Sequence, residues 1–198
     1  MGRILYVGGD DSNHAGDAPP GEFLVATFSF DKEDSLVMPF PNRRDYAKFM
    51  DWIRYPGRDY RFVVRKTEHH RHSCLNLPAV MPTLIERFIV DEKNLYGDSE
   101  GYEPVDQLNV YLDGYLNGSA KACLRDDLRG LRGIQRVVVD NFIKKKTRAN
   151  GDVSKRPVCP RVVWMADVLA NQLYVQNRGT IKLAGDPKMV VGNGMFDE

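Results

Sequence analysis

The chain has 198 residues, of which 42% are hydrophobic and 28% charged, and these proportions exclude a disordered chain or a membrane protein. Its length allows one well-buried core and no internal repeat divides it, so a single domain over residues 1–198 is expected. The formal net charge of +1 excludes a globally basic protein, so any attraction to nucleic acid must come from local patches.

The first half of the chain predicts three strands and one short helix. Residues 3–8 are apolar and β-prone, and the Gly-Gly-Asp-Asp-Ser-Asn cluster at 8–13 predicts a turn that ends this strand. Residues 23–30 form a second β-prone run, which we expect to make a hairpin with the first. Apolar side chains at helical spacing predict an amphipathic helix over 43–54, and residues 60–65 predict a third strand.

The second half alternates predicted helices and strands. A helix is expected over 78–90, because Pro78 is tolerated in a first helical turn. Residues 107–112 predict a strand, 120–131 a helix, and 134–139 a further strand that contains three consecutive valines. Residues 161–175 are apolar enough to predict a helix that is buried on most sides. Together these elements predict an α/β fold with a mixed central sheet flanked by helices.

Neither the cysteines nor the histidines predict a disulfide framework or a zinc site. Cys74, Cys123 and Cys159 lie far apart and form no CxxC motif. The tract at 68–72 holds three histidines, but adjacent histidines on one loop rarely complete a coordination set, so a solvated turn is favoured.

The sequence also indicates a compartment. No apolar stretch is long enough to cross a bilayer, and the first ten residues lack the apolar core and cleavage site of a signal peptide. We therefore expect a cytoplasmic protein without a membrane partner, and the sequence leaves open whether the chain forms a homo-oligomer.

Aspartates recur where predicted strands end. They are Asp10 and Asp11 after the first strand, Asp113, Asp140, and Asp167 within the last apolar helix. Side chains at the carboxyl ends of strands in an α/β sheet converge on one edge, where carboxylates repel one another unless a cation neutralises them. Oxygen ligands favour Mg²⁺ or Mn²⁺, and two such ions can activate water and stabilise the leaving oxygen of a phosphoryl displacement.

Each aspartate also has a structural interpretation. Asp10 and Asp11 could simply form a turn, and Asp113 before a glycine is a common turn signal. Asp167 fits this interpretation less well, because a carboxylate among apolar residues is costly to bury unpaired. A partner arginine or an exposed helix edge is the alternative for that residue.

The order strand, strand, strand, helix, strand, helix, strand, helix, with acids at these positions, resembles the ribonuclease H superfamily. Residues 9–16 are similar to the opening of type 2 ribonuclease H, an aspartate and glutamate followed by a glycine-rich turn, with Asp11 in the glutamate place. Leu112-Asp113-Gly114 resembles that family's second acid strand and Val139-Asp140 its third. Residues 165–170 are similar to another ribonuclease-H-like family with alanine-aspartate on its last helix.

The resemblance implies a ribonuclease-H-like α/β fold and a metal-dependent nuclease that uses Mg²⁺ or Mn²⁺ on DNA or RNA. It implies metal-ligating and catalytic roles for Asp10, Asp113, Asp140 and Asp167, with Asp11 as an alternate or supporting catalytic residue. Type 2 enzymes carry a glycine-arginine-glycine turn that contacts the RNA–DNA junction. This chain has Asn13-His14-Ala15 there, so a hybrid substrate does not follow, and endonuclease or exonuclease action is left open.

Two further features predict contact with nucleic acid. The cationic run consists of Lys144, Lys145, Lys146 and Arg148. It follows Asp140 and would flank the metal edge, where it would attract phosphate, although a solvated loop is an equal alternative. His14 could contact the substrate or move a proton beside the acids, although a lone histidine after a turn is more often part of the polar surface.

Two other functional classes are compatible with the sequence. A non-catalytic nucleic-acid-binding or assembly module could have the same fold, because fold does not establish activity. A nucleotide-binding loop over residues 10–21 ranks last, because the GxxxxGK[ST] and GxGxxG patterns are absent.

Overall fold

A computed structural model describes residues 2–11, 22–39, 61–67, 73–142, 158–176 and 189–192. The elements are β1 (Arg3–Asp11), β2 (Glu22–Ser29), a 3-10 helix (Lys32–Ser35), β3 (Val37–Pro39), β4 (Arg61–Thr67), α1 (Ser73–Tyr96), β5 (Val105–Asp113), α2 (Gly118–Arg129), β6 (Arg136–Phe142), β7 (Val158–Pro160), α3 (Arg161–Gln176) and β8 (Met189–Gly192). Within these ranges, no helix combines the length and apolar character that crossing a membrane requires.

The main sheet has six strands in the order β6-β5-β1-β2-β4-β8. β1 pairs in parallel with β5 and antiparallel with β2, and β6 lies parallel to β5. β2, β4 and β8 continue the sheet in antiparallel pairing, while β3 and β7 form a separate pair. The predicted α/β class, the mixed sheet and the pairing of the first two strands are confirmed. Because β1, β5 and β6 are parallel, their carboxyl ends lie at one edge of the sheet.

Helices cover both faces of this sheet. Leu5 and Val7 of β1 belong to the main core, which packs under α1 and α2. Tyr6, between them, belongs to the core under α3 on the opposite face. This alternation follows from the two-residue period of a strand, and burial on both faces explains why residues 4–9 of β1 carry no charged or strongly polar side chain.

β1 continues through the two glycines at which the sequence predicts its end. A Cβ atom on Gly8 would overlap the carbonyl oxygen of Val162 and lie 2.6 Å from the Val163 nitrogen. A Cβ atom on Gly9 would lie 2.5 Å from Leu112 Cδ2. The glycines therefore serve close packing of α3 and β5 rather than a turn. The prediction that the strand ends there was wrong, and Asp10 is part of the strand.

α1 extends beyond both ends of the predicted helix at 78–90 and contains Pro78 and Pro82 in its interior. A proline inside a helix removes a backbone donor and crowds the preceding turn. Packing of the apolar face offsets this cost: Phe88 lies in the main core, and its ring stacks on that of Phe28 with centroids 4.1 Å apart. The predicted helix at 43–54 lies outside the described residues.

The packing at Gly8 predicts a stability difference between two glycine-to-alanine variants. Gly8→Ala should destabilise the fold by about 1–3 kcal/mol, because the new methyl group meets backbone atoms that cannot rotate away. Gly118→Ala is the matched control, since nothing lies within 4 Å of a Cβ atom at that position. Urea unfolding measures both variants, and equal midpoints would contradict the close approach of α3 to β1.

Candidate metal centre

Three aspartates from separate elements meet at the carboxyl edge of the sheet. Asp10 lies on β1, Asp113 ends β5 and Asp167 lies on α3. Each offers a carboxylate oxygen, and these oxygens all lie within 4.8 Å of one another. Asp10 and Asp167 are buried and Asp113 is half-buried, so the cluster opens toward solvent on the side of Asp113.

The register of the parallel strands brings the first two aspartates together. Gly9 pairs with Leu112, so the next position along each strand places Asp10 beside Asp113. Neighbouring residues in register share a face of the sheet, and this face is the one that α3 covers. Asp10 and Asp113, which are separated by about a hundred residues in the chain, thus become lateral neighbours.

The third aspartate is positioned by the contact between α3 and the sheet. The Thr27 hydroxyl of β2 donates a hydrogen bond to the carbonyl oxygen of Val162 at 2.6 Å, at the same place where Gly8 admits the helix backbone. Val163 and Asp167 are four residues apart, so both lie on the side of the helix that faces β1. The helix therefore presents Asp167 to the end of β1.

Asp11 contributes through its backbone. Its N–H donates a hydrogen bond of 2.8 Å to Oδ1 of Asp10, which fixes the orientation of that carboxylate. Its side chain, one residue along the strand, belongs to the opposite face and is not in the cluster. The structure thus places Asp11 beside the cluster without adding its carboxylate.

Asp140 lies outside the cluster, although the sequence predicts it as a ligand. It lies within β6 rather than at its end and pairs with Tyr111, two residues before Asp113. At about 3.3 Å per residue, this offset is about 7 Å along the strand. Three of the four predicted ligands therefore come together, and Asp140 stands apart on a neighbouring strand with its side chain 53% exposed.

Lys121 pairs with Asp140 and changes its acidity. Its ammonium group, near the start of α2, donates a hydrogen bond of 2.9 Å to Asp140 Oδ1. Partial burial opposes ionisation, but this bond and a second from the Asn141 N–H outweigh it and hold the pKa of Asp140 below its ordinary value. Lys121 is not among the site residues that the sequence predicts. The signal was its place in a strand-helix-strand unit, where the start of the helix lies near the carboxyl ends of both strands.

Several predicted contacts lie outside the described residues. These are His14 and the cationic residues Lys144, Lys145, Lys146 and Arg148; the histidine tract at 68–72, where a solvated turn is expected, also lies outside the described residues. Their roles stay predictions from the sequence.

The cluster has the donor set of a hard divalent cation. The three carboxylate oxygens lie within 4.8 Å of one another, so the carboxylates repel one another when they are ionised. A doubly charged ion bound between them relieves this repulsion. Because all three ligands are oxygens, Mg²⁺, Mn²⁺ or Ca²⁺ suit the site better than Zn²⁺ or Cu²⁺.

Comparison with protein-family models gives no match for this chain, and comparison with curated protein sequences gives none. The functional assignment therefore depends on the geometry of the three aspartates.

The cluster predicts metal-dependent stability. Mn²⁺ should raise the melting temperature of the wild type, because an ion at a hundredfold excess over its Kd stabilises the native state by about 2.7 kcal/mol. Asp10→Asn should abolish the shift, whereas the control Asp126→Asn, exposed on α2, should retain it. Differential scanning fluorimetry measures each variant with and without ions. A wild-type melting temperature that neither Mn²⁺ nor Mg²⁺ moves would contradict a metal centre.

The lowered pKa of Asp140 predicts a pH dependence. An aspartate with a depressed pKa in the native state stabilises the fold above its unfolded pKa, and this contribution disappears as the pH falls through the native pKa. Lys121→Met should therefore cost about 0.5 kcal/mol at neutral pH, where the exposed pair is screened by solvent. The loss should shrink below pH 3.8, the ordinary pKa of an aspartate, and vanish once the pH is below the lowered native pKa of Asp140. Denaturant unfolding at both pH values measures it, and an equal loss at acid pH would show that Lys121 acts by packing.

Proposed function

We propose that the protein is a divalent-metal-dependent nuclease with a ribonuclease-H-like fold, which hydrolyses phosphodiester bonds of DNA or RNA with Mg²⁺ or Mn²⁺. The observation that carries this proposal is the convergence of Asp10, Asp113 and Asp167 at the carboxyl edge of the sheet. Ligands of α/β proteins bind at such edges, so the cluster lies where a substrate can reach it.

The arrangement of the main elements supports the fold assignment. They follow the order strand, strand, strand, helix, strand, helix, strand, helix, apart from the short β3 and β7 and the final β8. α1 and α2 pack on one face of the sheet and α3 on the other. The acids of β1, β5 and the last long helix meet, as the resemblance implies, whereas Asp140 on β6, which the resemblance also includes, lies outside the cluster.

The donor set supports hydrolysis of a phosphodiester. Mg²⁺ and Mn²⁺ keep water and bind phosphate oxygens in addition to carboxylates. Bound at this cluster, such an ion would lower the pKa of a water molecule and neutralise the charge that develops on the phosphate. Asp10, Asp113 and Asp167 would hold the metal, and Asp140 lies outside this set.

The residues around the cluster would hold its geometry during the reaction. The Asp11 N–H orients Asp10, and the contact of Val162 with Gly8 and Thr27 holds α3 in place. Asp113 is the most accessible of the three acids, so the phosphodiester would approach from its side. Fixed ligands of this kind reduce the rearrangement that the transition state requires.

The proposal predicts cleavage of labelled oligonucleotides. Wild-type protein with Mn²⁺ or Mg²⁺ should cleave at least one of single-stranded DNA, duplex DNA, RNA and RNA–DNA hybrid, and EDTA should stop the reaction. Asp113→Asn should lower the rate by at least about a hundredfold, because it removes a ligand charge. Asp140→Asn should lower it less, and the exposed control Asp126→Asn should match the wild type.

Circular dichroism shows whether each variant is folded. Undiminished cleavage by folded Asp113→Asn would rule out the assignment of the site. Binding of Mn²⁺ without cleavage of any of the four substrates would favour a non-catalytic nucleic-acid-binding module.

A further inference from the structure

An exposed aromatic residue lies two positions along the chain from one ligand of the candidate metal centre. Tyr115 follows Asp113 by two residues, so their Cα atoms are separated by at most about 7 Å. It is 75% exposed, a larger fraction than that of any other exposed large hydrophobic residue in the described part of the chain. The proposed mechanism does not use this ring.

The turn that carries Tyr115 is anchored to β6. The Gly114 N–H donates a hydrogen bond of 3.0 Å to the Phe142 carbonyl, and the Asn141 side-chain amide donates one of 2.7 Å to the Gly114 carbonyl. Gly114 has a φ of +101°, a conformation that other residues rarely adopt. Both backbone polar groups of this residue are therefore held in place.

The chain is anchored again after Tyr115. Leu116 packs against the main core, and the Asn117 side chain accepts a hydrogen bond of 2.8 Å from the Ala120 N–H as the N-cap of α2. Tyr115 thus stands between two fixed points, with a constrained backbone and a ring that faces solvent. With the neighbouring backbone fixed, only the two side-chain torsions of Tyr115 have to be ordered when the ring binds a partner.

A planar aromatic ring beside a phosphate-binding edge suits the base of the same nucleic acid. Stacking of bases on tyrosine is a common source of affinity in proteins that bind single strands. Bases in a duplex already stack on one another, so an exposed ring can stack only on a base that is unpaired or at an end.

We propose that Tyr115 binds the substrate by stacking on an unpaired base, next to the phosphodiester at the metal centre, and that the protein acts on single-stranded nucleic acid. This inference rests on the proposed nuclease function. It goes further by naming a substrate-binding residue and a strand preference.

Binding of labelled oligonucleotides to the full chain tests the proposal. The probes are an oligothymidylate and an oligouridylate of about 12 nucleotides, an abasic strand with the same phosphates, and a duplex of equal length. Ca²⁺ replaces Mg²⁺ to limit cleavage, and fluorescence anisotropy gives the Kd. Tyr115→Ala should weaken binding of at least one base-bearing single strand by about ten- to a hundredfold and leave the abasic strand unchanged.

Two sets of variants separate stacking from structural damage. Tyr115→Phe and Tyr115→Trp retain a ring and should bind like the wild type. Leu95→Ala is the matched surface control, since Leu95 is 63% exposed near the end of α1. That end of α1 lies near the amino-terminal ends of the parallel strands, away from the aspartates, because Glu92 pairs with Arg3 at the start of β1. In cleavage assays Tyr115→Ala should raise KM and change kcat little.

Wild-type affinity of Tyr115→Ala for both base-bearing single strands, or an equal loss on the abasic strand, would overturn the assignment. The melting-temperature shift with Mn²⁺ and the cleavage rate are measured on the same proteins. If the wild type binds Mn²⁺ and cleaves but Tyr115→Ala binds normally, only the stacking role fails. If the wild type neither binds metal nor cleaves, the nuclease function fails, and this proposal fails with it.

Discussion

The close approach of α3 to the centre of the sheet is the contact on which the candidate site depends. Gly8 leaves space for the Val162 carbonyl, and the Thr27 hydroxyl donates a hydrogen bond to the same oxygen. A side chain at Gly8 would push the helix away from β1 and withdraw Asp167 from the two aspartates of the sheet. Packing of the core and assembly of the ligand set therefore have the same physical cause.

A second contact fixes the start of that helix. Arg161, its first residue, pairs with the buried carboxylate of Asp34 at 3.1 Å, and the Ser29 hydroxyl donates a hydrogen bond of 2.7 Å to the other oxygen of Asp34. A buried charge is costly unless it is paired and hydrogen-bonded, so the pair with Asp34 favours this position of the helix. The end of β2 and the start of α3 thus hold the helix at a defined height above the sheet.

The sequence predicts the α/β class and its main strands and helices because apolar periodicity is a local property. It also predicts that Asp10 and Asp113 meet, since acids at the carboxyl ends of strands in an α/β sheet converge, and it predicts Asp167 from the cost of burying a carboxylate in an apolar helix. It fails where tertiary contacts decide. The glycines before Asp10 have the composition of a turn, yet they are extended because α3 and β5 pack against them. The same is true of α1, whose two prolines are offset by core packing.

Asp140 is predicted as a ligand because it follows a predicted strand, and the structure places it outside the cluster. The register of β6 places Asp140 beside Tyr111, two residues before Asp113, and there its carboxylate pairs with Lys121 instead of joining the cluster. Register depends on pairing between strands, which a single segment does not encode. Tyr115 was missed for a related reason. Its exposure follows from the anchoring of its neighbours, and the residue type alone predicts nothing about it.

The charges of the candidate site suggest how such a protein would bind a polyanion. With a net charge of +1, the chain has little long-range attraction for nucleic acid, and three carboxylates at the sheet edge repel a phosphodiester. In the proposed function the metal must therefore bind first, since it changes the edge from repulsive to attractive. Affinity then depends on short-range contacts: the ion binds the phosphate, and Tyr115 stacks on the adjacent base. This order of binding follows from the signs of the charges.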